Sequence, residues 1–433
     1  MREDGLRVGL GFPLPDALPA GKPTALFCYG TCFHPREPVA ALELSVGGER
    51  HPVPVIAMPR PDLFASLHPN LDAAALEPGG FDPDSPTDPE LRAFRSGFWA
   101  TVALTAPATP GKLELRAEAR LASGASASAA LGEIEVVERS APSYDALVGR
   151  RSEDLVAICM ATFEPDLELF RRQVDSLRSQ THTNWICVVS DDCSAEESFE
   201  AIRAVIGDDR RFVTSRSDER LGFYRNFERA LGMAPAEADF VALCDQDDRW
   251  YPDKLETLLG AVEGAELAYS DQRLVEPDGA VLAESLWAAG RRNNYTDLTS
   301  LLIANTVTGA ATLFRRQVAE AALPFPQMPG WQFHDHWIGL VALVRGRIAY
   351  VDRPLYDYVQ HGGAILGQVS VDSPAAAEPA RAPLRARLAG VLRGFLRGWR
   401  PIYFCGYLGL EVQARALLVR CAPQLSPAKR RAL

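Results

Sequence analysis

Three acids fall within four residues at Asp245-Gln246-Asp247-Asp248, directly after the apolar run Phe240–Cys244. One acid after a strand is ordinary, because loops are wet and helix N-termini favour negative charge. Three at this density repel one another unless a cation or a positively charged ligand joins them. A hard divalent cation is the natural partner, since Mg2+ uses one or two carboxylates plus substrate phosphates. The pattern predicts a metal–diphosphate site. A second apolar run, Trp185–Ser190, also ends in acids, Asp191-Asp192.

Two further segments carry candidate chemistry. His334-Asp335-His336-Trp337 stands before the apolar, helix-like run Ile338–Val344. Asp335 is there either as a helix cap or as a general base for a hydroxyl acceptor, worth about 10²- to 10⁴-fold in rate. Its flanking histidines are read as packing or hydrogen-bonding partners, because His-x-His on a helix does not converge on one point. Tyr358-Val359-Gln360-His361-Gly362-Gly363 puts a histidine before two glycines, on a loop able to close over a diphosphate and complete a metal shell. Cys28, Cys32 and His34 have no second Cys/His pair at zinc spacing, so zinc is not expected there.

Such groups need a scaffold. From Leu155 onward strands and helices alternate: strand Leu155–Met160, then a helix capped by Asp166 with Leu167, Phe170, Val174 and Leu177 on one face. Strand Trp185–Ser190, helix Glu196–Ile206, strand Phe212–Ser215, helix Phe223–Met233 and strand Asp239–Cys244 follow. Helix Pro252–Val262, opened by its proline, and strand Leu267–Ser270 close the series. Alternation of this kind predicts a mostly parallel sheet with helices on both faces. Ligands of such sheets bind beyond the carboxyl ends of the strands, where both acidic pairs fall.

The region Pro23–Glu138 reads differently. Short apolar runs (Ala41–Val46, Phe98–Leu104, Ile134–Val137) are separated by glycine- and proline-containing turns, which predicts a small β-sandwich. Trp99–Leu104 and Leu113–Ala119 are expected to form a hairpin through Thr109-Pro110-Gly111, and Glu77–Pro89 a long loop. No cluster of acids or histidines comparable to the others is visible here, so no chemistry is expected of it. With a linker near Arg139–Arg151, the expected division is 1–145 (β-rich accessory), 146–370 (catalytic) and 371–433 (helical, partly basic). Within the last, Arg381, Arg385, Arg387, Arg393, Arg397 and Arg400 alternate with apolar residues and no acid. That stretch is either a packed helix or an interfacial helix on anionic lipid.

The whole chain of 433 residues carries a formal net charge of −11, which argues against a nucleic-acid partner. No apolar stretch reaches the roughly 18 residues of a membrane span, and the eight scattered cysteines suit reduced thiols. The expected location is cytoplasmic, with peripheral contact to the inner face of the membrane through 381–400.

Together these residues resemble the family 2 glycosyltransferases of the GT-A fold, in particular a bacterial rhamnosyltransferase-like branch, over Leu155–Gly363. The most specific piece is Cys244 to Leu255, which matches that branch's run DQDD-x-W-x-P-x-KL. Supporting pieces are Ala161-Thr162-Phe163, Val189 to Ser194, Leu221-Gly222 with Asn226, and Asn305 to Gly309, besides the two histidine segments. The resemblance implies that Ala161, Thr162 and Phe163 lie along the nucleoside, that Asp192 bonds a pyrimidine base, and that Asn226 belongs to the donor site. It implies a DxD element in which Asp245 lies nearer the ribose and Asp247 holds Mg2+ or Mn2+, with His361 touching metal or diphosphate and Asp335 as catalytic base. The implied reaction is an inverting transfer of a sugar, rhamnose by branch, from a nucleoside-diphosphate donor to a glycan or lipid-linked glycan acceptor. Three positions depart from the family: Glu164 replaces its Asn, Cys193 its Gly, and Ala364 its Asn. Two rivals stand beside this reading. A metal-dependent nucleotidyltransferase commonly has a Gly-rich, Lys/Arg-bearing loop after its first strand, and Ala161–Asp166 has neither Gly nor Lys. The other is a non-catalytic glycan-binding or assembly protein.

Overall fold

The computed structural model describes residues 5–72, 80–138, 142, 144, 154–289, 294–327, 332–361 and 408–433. Gly362, Gly363, Ala364 and the arginine-rich stretch 381–400 lie outside the described residues, as does most of the expected linker. The chain forms two compact units, one of residues 1–139 with 326–328, the other of the remainder.

The first unit is a sandwich of two sheets. One joins β1 (Arg7–Leu10), β3 (Pro23–Phe33), β7 (Gly97–Thr105) and β6 (Val55–Met58) in that order. The other runs β2 (Ala17–Pro19), β9 (Ser126–Val137), β8 (Gly111–Leu121), β4 (Val39–Val46) and β5 (Glu49–Pro52). Alternating apolar residues from both sheets meet in one core, Leu26, Phe98 and Val102 against Leu44, Leu115 and Ile134. Gly47 and Gly48, at φ +58° and +87°, make the tight β4–β5 hairpin that L side chains would strain. The expected hairpin through Thr109-Pro110-Gly111 does not form: β7 pairs with β3 and β6, while β8 pairs with β9 and β4. The turn residues there carry the chain from one sheet to the other, a choice that local turn chemistry does not encode. A short helix, α1 (Pro61–Leu67), precedes His68, which is fully buried between Asp82 and Asp88. The reading that this region has no cluster of acids and histidines is therefore corrected.

The second unit is built on a nine-stranded mixed sheet. Its first wing is β10 (Val156–Thr162), β11 (Trp185–Asp191), β12 (Phe212–Arg216) and β13 (Phe240–Cys244), all parallel, in the order β12-β11-β10-β13. Between them run α2 (Leu167–Arg178), α3 (Glu196–Ile206) and α4 (Phe223–Met233). Every residue of β11 and β13 is buried, as strands covered on both faces must be. Beyond β13 the sheet turns antiparallel through β17 (Thr312–Arg315), then β15 (Leu267–Val275), β18 (Ile348–Val359) and β14 (Arg249–Trp250), with β16 (Val281–Ala283) on β15. Of these, β15 and β18 pair in parallel, so the antiparallel pairings are confined to one side of a sheet whose first wing is wholly parallel. α5 (Lys254–Ala261), α6 (Leu286–Ala289), α7 (Leu298–Ile303), α8 (Arg316–Ala322) and α9 (His334–Arg345) complete the core of the unit. α10 (Gly409–Arg420) and α11 (Pro427–Ala432) follow, and Arg420 of α10 is buried over the Trp337 ring with a bond to the Ala322 carbonyl. Among the described residues no helix is long and apolar enough to cross a membrane.

Local details refine the expected boundaries. Asp166 does cap α2, accepting from the amides of Glu168 and Leu169. The buried face is Leu169, Phe170, Val174 and Leu177, whereas Leu167, the first helical residue, points to solvent. Pro252 lies before α5, which starts at Lys254. β15 continues past Ser270 to Val275 because β18 pairs along its whole length.

Candidate functional site

Strand order locates the cleft. In the order β12-β11-β10-β13 the chain winds outward from β10 one way and then returns to its other side, so β10 and β13 flank the switch point where such sheets bind ligands. A cavity of about 600 Å3 opens there. Ala161, Thr162, Phe163, Asp192, Asn226, Asp245, Asp247, Asp335 and His361, the residues given donor, metal or base roles from sequence, line it.

The switch point is tied shut by a residue the sequence reading passed over. Gln246, between the two acids, accepts from the Phe163 amide at 2.8 Å and donates to the Phe163 carbonyl at 3.2 Å. Its amide thus imitates one more rung of sheet between the ends of β10 and β13, and fixes where Asp245 and Asp247 stand.

The three acids separate. Asp245 and Asp247 line the cavity, whereas Asp248 is buried behind them, accepting weakly from the Val359 amide at 3.4 Å. Burial, then the charges of Asp247 and Asp335, raise Asp245 to about 7. His361 Nε2 lies 2.8 Å from Asp247 Oδ2, and this hydrogen bond raises the imidazole pKa. Among the described residues no group of three or more Asp, Glu, His or Cys gathers at metal-ligating distances. The residues nonetheless fit a divalent ion. Asp247 and His361 would give two adjacent ligands, phosphate oxygens would supply others, and a cation would offset the like charges that add to burial in lifting Asp245. The carboxylate suits Mg2+ or Mn2+, and the imidazole nitrogen tilts the donor set toward the transition metal.

Behind the acids sits Lys254, fully buried, donating to the Ala310 carbonyl at 2.5 Å and lying 3.6 Å from the centre of the Trp250 ring. Burial lowers its pKa to about 7. Lys254 belongs to the matched run but was not read as a site residue; no periodicity signals a buried lysine.

Asp335 is not the N-cap residue of α9, and its Oδ1 accepts the His336 amide of the first turn at 2.6 Å. Phe333 holds the N-cap position of α9, without a side-chain cap bond, and Asp335 lies in the first turn. Its carboxylate accepts from Asn305 Nδ2 at 2.9 Å and from the Gly309 amide at 3.1 Å, so the stretch 305–309 holds it. Gly309 is required by close approach, since a Cβ there would stand 2.6 Å from His334 Nε2. His334 is buried and stacked on Phe227 at 3.9 Å, and burial lowers its pKa to about 3. His336 contacts the Leu301 carbonyl at 2.7 Å. Both flanking histidines are packing groups.

Asp192 and Asn226, expected along the nucleoside, bond within the protein. Both Asp192 oxygens are already engaged, by the amides of Leu221 at 2.6 Å and Gly222 at 2.9 Å, with Arg220 Nε at 2.8 Å. Asn226 braces strand ends: it accepts from Ser190 Oγ and donates to the carbonyls of Ser190 and Thr162. Arg220, unnoticed in sequence, lies over the Phe163 ring. The two departures described here, Glu164 and Cys193, have φ of +38° and +63°, a region that Gly and Asn enter most easily. Glu164 offsets its strain by accepting from the Ala195 amide at 2.6 Å and Ser198 Oγ at 2.5 Å.

Residues 157–323 match the family described as Glycosyl transferase family 2. The chain is similar to TuaG of Bacillus subtilis (strain 168), assigned to teichuronic acid biosynthesis as a glycosyltransferase, with 27% identity over 41% of this chain and 68% of TuaG. It is 26% identical to the Escherichia coli (strain K12) protein WcaA, assigned to colanic acid biosynthesis, over 25% of this chain and 38% of WcaA. Among solved structures, S. aureus TarS 1–349 with UDP-GlcNAc aligns at TM-score 0.39 and 15% identity, over 65% of this chain and 84% of that one. The mannosyltransferase PcManGT of Pyrobaculum calidifontis, with GDP-Man and Mn2+, aligns at TM-score 0.38 and 17% identity, over 64% and 79%. Both scores are low, and the fold stands on the strand order above.

Proposed function

We propose that this chain, which carries a Glycosyl transferase family 2 domain, is an inverting, divalent-metal-dependent glycosyltransferase. One observation carries the reading: Asp245 and Asp247, beyond β13, share a single cavity with Asp335, on the first turn of α9. A donor diphosphate at the switch point and an acceptor hydroxyl at Asp335 would then meet within it. Asp335, oriented by Asn305 and Gly309, takes the acceptor proton as that oxygen bonds to the anomeric carbon and the bond to the nucleoside diphosphate breaks. Asp247 and His361 would hold the divalent cation, which when bound would supply charge stabilisation to the departing diphosphate. Ala161, Thr162 and Phe163 lie along the nucleoside. Asp192 serves it chiefly by fixing the 220–222 turn, and Asn226 by bracing β10 to β11.

The branch resemblance favours rhamnose on a pyrimidine nucleotide as donor. A growing surface glycan or its lipid carrier is the acceptor, in keeping with the glycan polymers named for TuaG and WcaA. A cytoplasmic place at the inner membrane face belongs to the same reading. Donor hydrolysis tests it: with Mn2+ or Mg2+, one of a panel of UDP-, dTDP- and GDP-sugars, dTDP-rhamnose first, should slowly release nucleoside diphosphate. Release from none of them would overturn it.

A further inference from the structure

The first unit holds a second cavity, of about 380 Å3, within the roughly 300–1,000 Å3 range of small-ligand pockets. Its floor is apolar, including Val39 of β4 and Ile56 of β6, and its polar lining includes His34, Arg92 and Arg95. The wall that carries the arginines, residues 88–96, stands on a buried ionic pedestal. His68 Nδ1 lies 2.6 Å from Asp82 and Nε2 lies 3.0 Å from Asp88, so both ring nitrogens face carboxylates. Asp88 is fully buried and its two oxygens accept the amides of Arg92 at 2.7 Å and Ala93 at 2.8 Å.

Two L residues lining the cavity, Ala57 and Leu91, sit at φ +57° and +56°. Such backbone persists only where its surroundings over-determine it, and it clusters at ligand clamps. The charges in the lining are unevenly used. Glu37 accepts from the Ser123 amide and Glu90 from Arg92 Nη2. Arg92 Nε is buried without a partner among the described residues, and Arg95 is exposed with no ion pair among them. His34 Nδ1 accepts the amides of Arg36 and Glu37, which leaves Nε2 as its donor. Arg92 shares its charge with Glu90, so Arg95 is the cation of the lining left to meet an anion among the described residues.

We propose that this cavity binds a short anionic saccharide. The apolar floor takes the C–H face of a sugar ring, and Arg95, with Arg92 beside it, takes its carboxylate or phosphate, which a guanidinium fork fits bidentately. That the anion sits on a sugar rests on the glycosyltransferase reading; the binding itself does not depend on the other cavity. Ligand-observed NMR on the full chain tests it with three probes: trigalacturonate, glucose 1-phosphate and neutral maltotriose. At least one anionic probe should bind, with maltotriose much weaker. Arg95→Ala, an exposed change that spares the fold, should weaken that binding by about tenfold, the scale of one lost charge-assisted contact. Asp247→Ala should leave it unchanged while abolishing donor hydrolysis. Binding by a wild type that hydrolyses no donor would support this site while sinking the reading of the other. Failure of both anionic probes on folded protein, or wild-type binding by Arg95→Ala, overturns the proposal.

Discussion

Two groups of carboxylates in this molecule meet opposite conditions. In the first unit Asp82 and Asp88 flank one buried imidazole, and each charge has a partner. In the second unit burial, reinforced by the like charges of Asp247 and Asp335, holds Asp245 near 7, with Lys254 behind them only partly compensating. A paired network of this kind orders backbone, here the amides of Arg92 and Ala93. A crowded set of like charges in a cleft stores repulsion that a cation can release on binding. The same residue type therefore orders backbone in one unit and lines the cavity of the proposed donor site in the other, and the distinction lies in what faces each carboxylate.

The contrast can be broken most forcefully at Asp88. Replacing it by Ala leaves His68 buried beside one carboxylate and two amides without acceptors. We expect a loss of about 3–5 kcal/mol from the first unit, as for other broken buried pairs. Urea denaturation followed through amide exchange at Arg92 and Ala93 reads it; a loss under about 1 kcal/mol would demote the network to a surface-grade contact.

Asp335→Asn comes next. The amide keeps shape but cannot take a proton, so turnover should fall about 100-fold or more, roughly 2.7 kcal/mol of barrier, with donor affinity within a few-fold. Near-normal turnover would move the base elsewhere.

A subtler effect is the pH response of the first unit. Burial opposes protonation of His68, yet its bonds to Asp82 and Asp88 outweigh this, and its pKa is raised. Its folded pKa thus exceeds the unfolded value of about 6.5, so its contribution is complete below that pH and is lost as pH rises through the folded value. Amide exchange at Arg92 and Ala93 should quicken above neutrality in the wild type beyond its intrinsic base catalysis, and this excess should vanish in His68→Gln. An identical pH profile for both proteins would mean the imidazole is neutral throughout.

The smallest expected effect is at Cys193. Gly there removes left-handed strain but adds unfolded-chain entropy, so stability should change by less than about 1 kcal/mol with activity intact. A β-branched Val should cost more, about 1–2 kcal/mol. Equal stability of the two variants in thermal melts would show the φ to be freely adjustable.

Much of the second unit could be read in advance because its signals are local. Buried parallel strands are continuous apolar runs, and Asp166 caps α2 from one position before it. What escaped was decided across the chain. The Thr109–Gly111 turn is chemically a turn whether the chain folds back or crosses to the facing sheet. His68 meets acids 14 and 20 residues away in sequence, a separation that no local periodicity announces. Gln246 looks like a spacer inside an acidic motif until β10 and β13 lie side by side. Asp248 shares a motif with Asp247, yet the chain turns between them and sends one side chain to the cavity and the other into the core. Arg220 and Asn305 act through the loops they sit on, and loop geometry is not written in residue spacing.

The claim that the crowded acids form a metal–nucleotide site is tested most directly by calorimetric titration of UDP and dTDP with Mn2+ and with EDTA, on wild type and Asp247→Ala. At least one nucleotide should bind the wild type tightly only when Mn2+ is present, and Asp247→Ala should lose that dependence together with most of the affinity. Equal affinity in Mn2+ and in EDTA would contradict it.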